Sequence, residues 1–171
     1  MPHLHLFTDG SVNTQSKVGY GAYFLVSDLN TPIDSLTDTV NLKRFEQTSS
    51  TRLELQTLLW ALGDNNFYAG GAVGHPFTKE SDTILTAYTD SQNIISLPER
   101  RVRLEQQDFL SSKNKRLKNA ALYQEFYRLT SIIKCEFVKV VGHQAADKKD
   151  NIDRLFGLVD KASRQALREN A

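Results

Sequence analysis

The sequence predicts an α/β fold, a mixed sheet with helices packed on it. One observation is the order of its apolar segments: three strand-like stretches joined by polar turns come first, and strands and helices alternate after them. The resulting order is β-β-β-α-β-α-α-β-α, which implies a mixed sheet with helices packed on it. The second observation is bulk composition. With 171 residues, 40% hydrophobic and 24% charged, the chain can bury the core of one ordinary domain, and wholesale disorder is excluded. A single domain over 1–171, with its core at about 4–168, is expected.

The elements follow in order. Leu4-His5-Leu6-Phe7-Thr8 alternates as a strand does and stops at the turn cluster Asp9-Gly10-Ser11. Tyr20–Val26 reads as a second strand, introduced by Gly19 and containing Gly21. Residues 27–35, rich in Asp, Asn and Pro, read as a loop leading to a third strand near Leu36–Val40. A helix follows, capped by Ser49, Ser50 or Thr51, with Leu53, Leu55, Leu58, Leu59 and Leu62 as its apolar positions. Gly63-Asp64-Asn65-Asn66 ends it, and Ala69–Glu80 reads as a loop. Ile84–Thr89 is a strand that stops at Asp90, and Asn93–Leu97 starts a short helix that Pro98 breaks or bends. Asn119–Thr130 carries Leu122, Phe126 and Leu129 at helical spacing. Ile132–Val141 is an apolar strand ending at Gly142-His143, and residues 150–168 close the chain as a helix.

The single cysteine, Cys135, excludes an internal disulfide framework and a Cys-rich zinc site. No apolar run approaches the roughly 18 residues of a membrane span, and the N-terminus lacks the pattern of a signal peptide, so a cytoplasmic protein is expected. The net charge of +1 is uninformative, but its distribution is not. Arg100, Arg101, Arg103, Lys113, Lys115, Arg116 and Lys118 face only Glu105 and Asp108 within that stretch. This is either a polyanion-binding strip or a solvated, salt-bridged helix face.

Two strands end in an acid followed by serine, Phe7-Thr8-Asp9-Gly10-Ser11 and Tyr88-Thr89-Asp90-Ser91-Gln92. On neighbouring strands both carboxylates would emerge at one sheet edge. Glu54, between Leu53 and Leu55 one turn into the first helix, sits near the margin of its apolar face. Three carboxylates together without basic partners repel one another, and the usual remedy is a divalent cation. All-oxygen ligation points to Mg²⁺ or Mn²⁺ rather than zinc.

These blocks, with Gly19-Tyr20-Gly21-Ala22, Ser50-Thr51-Arg52-Leu53-Glu54-Leu55, Leu117–Tyr123 and Lys134–Lys139 before Gly142-His143, resemble the type 1 ribonuclease H family in the family's own order. The similarity spans residues 4 to 168. It implies a five-stranded mixed sheet of order 3-2-1-4-5 with helices on both faces. It also implies two-metal hydrolysis of the RNA strand of an RNA/DNA hybrid, with Mg²⁺ (or Mn²⁺) at Asp9, Glu54 and Asp90, and 5′-phosphate and 3′-hydroxyl products. Asp9 would bridge both ions.

The fourth acid departs from the family pattern. The usual interval from the histidine lands on Asp153, whereas Leu158–Arg164 around Asp160 looks more like the family's block, so Asp160 is favoured and Asp153 is the alternative. The two are seven residues apart and share a helix face. The resemblance gives His143 a role in proton transfer or product release. His3, His5 and His75 lack motif context and are expected at the surface. Gly10, Ser11, Ser50, Thr51 and Gln92 correspond to hybrid-contacting positions, although the family often has Asn where this chain has Ser50 and Thr51. Arg100, Arg101 and Arg103 lie where some members carry a basic protrusion that grips the DNA strand. The partner implied is thus RNA/DNA hybrid, with no membrane and no obligatory protein partner, and a monomer is expected. The competing readings are another metal-dependent nuclease of the superfamily, DNA-directed or exonucleolytic, and a non-catalytic nucleic-acid-binding relic.

Overall fold

In the computed structural model, which describes residues 3–64, 84–141 and 150–170, the expected order of elements is present. The strands are β1 (His3–Asn13), β2 (Val18–Val26), β3 (Asn41–Phe45), β4 (Ile84–Thr89) and β5 (Cys135–Lys139). The helices are α1 (Ser50–Asp64), α2 (Gln92–Gln106), α3 (Ala120–Ile132) and α4 (Asn151–Glu169). They form one five-stranded sheet of order β3-β2-β1-β4-β5. The β1–β2 and β2–β3 pairs are antiparallel, and the β1–β4 and β4–β5 pairs parallel.

Strand alternation sends successive residues of β1 into two separate cores. Leu6 joins Leu55, Leu58, Leu85, Ile94, Leu97 and Phe126 on the face covered by α1, α2 and α3. Phe7 joins Phe24, Tyr88, Leu155, Phe156 and Val159 on the face covered by α4. Its ring stacks between Phe24 at 5.0 Å and Tyr88 at 4.5 Å, tying three strands together.

Several boundaries differ from the sequence reading. β1 does not stop at Asp9-Gly10-Ser11; it runs on to Asn13, because Asp9 pairs with Ala22, Gly10 with Gly21 and Ser11 with Tyr20. The turn chemistry lies further along, where Asn13 Oδ1 accepts from the backbone N–H of Gln15 and Ser16 and Lys17 takes a positive φ. The stretch Leu36–Val40 is not the third strand. Short 3₁₀ turns at Ile33–Ser35 and Thr37–Thr39 occupy that region, with Ser35 and Thr39 hydroxyls bonding the carbonyls three residues back. Pro98 does not break α2, which continues to Gln106. Ile132 belongs to the end of α3, so the last strand is shorter than Ile132–Val141. His5 is buried rather than exposed, with Nδ1 bonded to Tyr88 Oη at 2.9 Å. The loop at Ala69–Glu80 and His75 lie outside the described residues.

What sets the site's geometry is how closely α1 approaches β1 and β2. A Cβ on Gly21 would lie 2.2 Å from Thr57 Oγ1, one on Gly19 2.6 Å from the Leu53 side chain, and one on Gly10 2.9 Å from Leu53. These three glycines form a slot that admits the first turns of α1. Gly21→Ala should therefore destabilise the fold by about 1–3 kcal/mol, as overpacked cores do. Adding Thr57→Ala should return part of that loss in denaturant unfolding; an unchanged midpoint in the single variant would show that α1 does not depend on the slot.

Candidate metal centre

The acids arrive at one place by different routes. Asp9 sits in the middle of β1, on the α4 side of the sheet with Phe7, and is 4% exposed. In the parallel register His3 lies opposite Ile84 and Phe7 opposite Tyr88, so Asp90 falls level with Asp9 immediately beyond the end of β4. The two carboxylates meet because β4 gives out where β1 continues. Glu54 comes from the second turn of α1, lodged between Leu53 and Leu55, which are buried in the packing against the sheet. One carboxylate oxygen from each of Asp9, Glu54 and Asp90 lies within 4.8 Å of the other two.

Asp160, on α4, reaches this cluster through Asp9. Its carboxyl shares a hydrogen bond with that of Asp9, while Arg164 Nε donates to it at 2.8 Å. Ser163, fully buried one turn further on, bonds Ser11 Oγ at 3.1 Å and holds this part of α4 against β1. Asp153 is occupied elsewhere. It is the third residue of α4, and its Oδ2 accepts from the Asp150 N–H while Asp150 Oδ1 accepts from the Asp153 N–H. That reciprocal pair is a helix-starting capping box.

Burial and mutual repulsion dominate the electrostatics. Desolvation, then the charge of Asp90 and of Asp160, push the Asp9 carboxyl up to about 8 from its usual acidic range. Glu54 is raised well above the ordinary glutamate value by burial first and then by Asp9, Asp90 and Asp160. Glu54 Oε2 is fully buried without a hydrogen-bond partner. An orphaned carboxylate oxygen in an all-oxygen cluster that resists ionisation suits a hard divalent cation such as Mg²⁺ or Mn²⁺.

The expected substrate contacts divide. Gly10 is half-buried, and its N–H donates to the Asp9 carboxylate. Ser11 spends its hydroxyl on Ser163. Ser50 and Thr51 are exposed on the first turn of α1, and Ser50 lines a recess of about 510 Å³ with Lys17, Gln47, Thr48, Arg52 and Lys118. Gln92 is exposed at the start of α2, where its Oε1 accepts from Lys139 Nζ at 2.8 Å. Arg100 is half-buried at the edge of the recess that Arg103 lines: its guanidinium donates to the Asn93 carbonyl and Oδ1 and lies over the Tyr123 ring. Arg101 pairs with Glu105 and covers Tyr127. Arg103 is exposed and, with Lys118, lines a second recess of about 710 Å³ between α2, α3 and their connection. Arg52 Nη1 bonds Asn119 Oδ1 at 3.1 Å on the boundary between the two recesses. Lys17 and Arg52 were not singled out by the sequence; each is a solitary basic residue, and only the folding of the β3–α1 turn onto the β1–β2 hairpin, through the Thr48 N–H to the Lys17 carbonyl, brings them together. His143 lies outside the described residues.

Unfolded carboxyls lose their protons near about pH 4, whereas folded Asp9 holds its proton to about 8. Between these values the folded state carries the extra proton, so this contribution to stability falls as pH rises and levels off above the folded value. In chelator, Asp9→Asn should therefore be increasingly more stable than wild type as pH is raised through that window. Each kcal/mol recovered should shift the thermal midpoint by about 2–4 °C. Millimolar Mg²⁺ should close the gap. A variant less stable than wild type at the upper end of the window would show that Asp9 is held by attraction rather than against repulsion.

Comparison with known proteins agrees with this architecture. No curated protein sequence matches the chain. Among solved structures, it is similar to LC9-RNase H1, described as a type 1 RNase H with the type 2 active-site motif. That match has a TM-score of 0.63 and 17% identity over 100% of this chain and 74% of the other. It is also similar to the foamy viral protease-reverse transcriptase solved in complex with dsDNA, with a TM-score of 0.54 and 10% identity over 96% of this chain and 94% of that one. At these identities the structural likeness bears on the fold alone. The sequence profile of the RNase H family goes further, matching residues 1–166: the chain belongs to the RNase H family and is a ribonuclease H enzyme.

Proposed function

We propose that the protein is an endoribonuclease that hydrolyses the RNA strand of RNA/DNA hybrids with two Mg²⁺ ions, replaceable by Mn²⁺, leaving 5′-phosphate and 3′-hydroxyl ends. The observation that carries this reading is the meeting of Asp9, Glu54 and Asp90 within 4.8 Å in a chain of this family. Asp9, Glu54, Asp90 and Asp160 would hold the ions; when bound, such a pair supplies an activated water and counter-charge for the leaving oxygen. Asp9 touches both Glu54 and Asp160 and would stand at the centre of that ligand set. Glu54 and Asp90 complete the cluster around it, and Arg164 holds Asp160 in place through their ion pair. His143, shortly after β5, is assigned proton transfer or product release.

Recognition is assigned to groups around this centre. Gly10 and Ser11 line β1 beside Asp9, and Ser50, Thr51 and Gln92 present hydroxyl and amide groups able to read a 2′-hydroxyl, which is both donor and acceptor. The two basic recesses supply salt-dependent phosphate contacts without sequence preference. The recess holding Lys17 and Arg52 also lies at the N-terminus of α1, where the helix dipole favours an anion. Arg103 is the direct phosphate ligand of the three arginines; Arg100 and Arg101 support it by packing α2 against α3 through Tyr123 and Tyr127. The single cysteine and modest net charge suit a cytoplasmic monomer.

The deciding assay offers labelled RNA/DNA, RNA/RNA and DNA/DNA duplexes with Mg²⁺, with Mn²⁺ and with chelator. Only the RNA strand of the hybrid should be cut, and chelator should abolish cutting. Efficient cleavage of DNA duplex would turn the assignment toward a DNA-directed nuclease. Asp160→Asn should cost orders of magnitude in kcat in Mg²⁺, partly recovered in Mn²⁺, which binds such sites more tightly. Asp153→Ala should keep most activity while losing about 0.5–1 kcal/mol of stability from the capping box. An inactive Asp153 variant beside an active Asp160 variant would reverse the assignment of the fourth ligand.

A further inference from the structure

Lys139 ends β5 opposite Thr89, the residue before Asp90, and its Nζ donates to Gln92 Oε1 at 2.8 Å. Both partners rise from anchored backbone. The Val140 N–H bonds the Thr89 carbonyl at 2.8 Å, and Ser91 caps α2 by accepting from the Ile94 N–H. An ammonium group has three donors and no acceptor, so the Gln92 atom facing it has to be the carbonyl oxygen. The amide nitrogen is thereby turned away, offering two N–H donors and no lone pair. An unbraced glutamine at an exposed helix start could rotate by half a turn and offer either end.

We infer that Lys139 is a positioning residue that fixes Gln92 as a donor-only reader, committing this position to an acceptor atom of the hybrid's minor groove rather than to a phosphate. The inference rests on the hybrid-cleaving reading, because only there does Gln92 face nucleic acid. Minor-groove edges supply such acceptors in purine N3 and pyrimidine O2, joined on an RNA strand by the 2′-oxygen. A phosphate would instead draw Lys139 itself, and the Gln92 amide would lose its brace.

The experiment compares wild type with Lys139→Met, Lys139→Arg, Gln92→Met and the Lys139→Met/Gln92→Met double variant. Lys139→Met and Gln92→Met should each raise KM for the hybrid about three- to tenfold, the range of one hydrogen bond, with the loss falling on KM more than on kcat. Lys139→Arg, which still only donates, should restore KM. The double variant should be no worse than Gln92→Met alone, because both act through one contact. The slope of log affinity against log salt should stay unchanged in Lys139→Met. A slope smaller by about 0.9 would make Lys139 a phosphate ligand and overturn the inference, as would additive losses in the double variant. The Gln92 side-chain amide resonance, identified by its absence in Gln92→Met, gives a readout without substrate: it should move in Lys139→Met and hold in Lys139→Arg. A wild-type enzyme that does not cut hybrids removes the functional reading, whereas an amide signal indifferent to Lys139 removes the positioning role.

Discussion

The constraint on which the rest of this structure depends is repulsion among four carboxyl groups. Asp9, Glu54, Asp90 and Asp160 come from one strand, the residue just beyond another, and two helices on opposite faces of one sheet, and each would be better solvated alone. The fold opposes this by placing a fully buried residue next to every one of them. Thr8 precedes Asp9, Leu53 and Leu55 flank Glu54, Thr89 precedes Asp90 and Val159 precedes Asp160; none of these neighbours is more than 1% exposed. Moving an acid outward would drag such a neighbour toward water, at about 1.5–3 kcal/mol for each large apolar side chain. The slot formed by Gly10, Gly19 and Gly21 acts in the same sense, since it lets α1 lie close enough to β1 for Glu54 to reach Asp9.

Much of this was legible in the sequence because it rests on periodicity and on acids beside apolar residues. The leucines of α1 identified a helix with Glu54 at its margin, and the run Ile84–Thr89 was bounded correctly because every residue from Leu85 to Thr89 is buried. The reading failed where tertiary pairing overrides local preference. Asp9-Gly10-Ser11 has turn composition, yet nine register pairs with β2 hold it extended. Leu36–Val40 has a strand's apolar ends, but its threonines close local turns before pairing begins at Asn41. Pro98 reads as a break or a bend because a helix interior loses a hydrogen bond there; the helix continues through it, with Leu97 and Leu104 buried on either side.

The fourth acid shows how spacing and local similarity can disagree for a physical reason. Asp153 and Asp160 are nearly two helical turns apart on one face, about 10.5 Å along the axis. Only one of them can be level with Asp9. The earlier one is taken up by starting the helix, a role that demands an acceptor three residues after Asp150 and has no bearing on the cluster. Counting residues from the histidine cannot separate these roles, whereas the buried Val159 and Ser163 on either side of Asp160 show which part of α4 is seated against β1.

On the proposed function, the distribution of charge also explains why a nucleic-acid enzyme has a net charge of only +1. The acids needed for chemistry repel the same phosphates that the enzyme has to bring to them. Cations at a distance from the cluster can attract those phosphates without neutralising the acids, and Lys17, Arg52, Arg103 and Lys118 are placed in this way along two neighbouring recesses. Arginines that instead stack on Tyr123 and Tyr127 add rigidity to the platform that carries Arg103. Substrate affinity then has two separable parts. The recesses would attract a polyanion whether or not metal is present, weakening with salt, while the carboxylate cluster would hold a scissile phosphate, rather than repel it, only with divalent cations bound. A protein divided in this way needs no large excess of positive charge, because bound metal would supply the missing part where the reaction occurs.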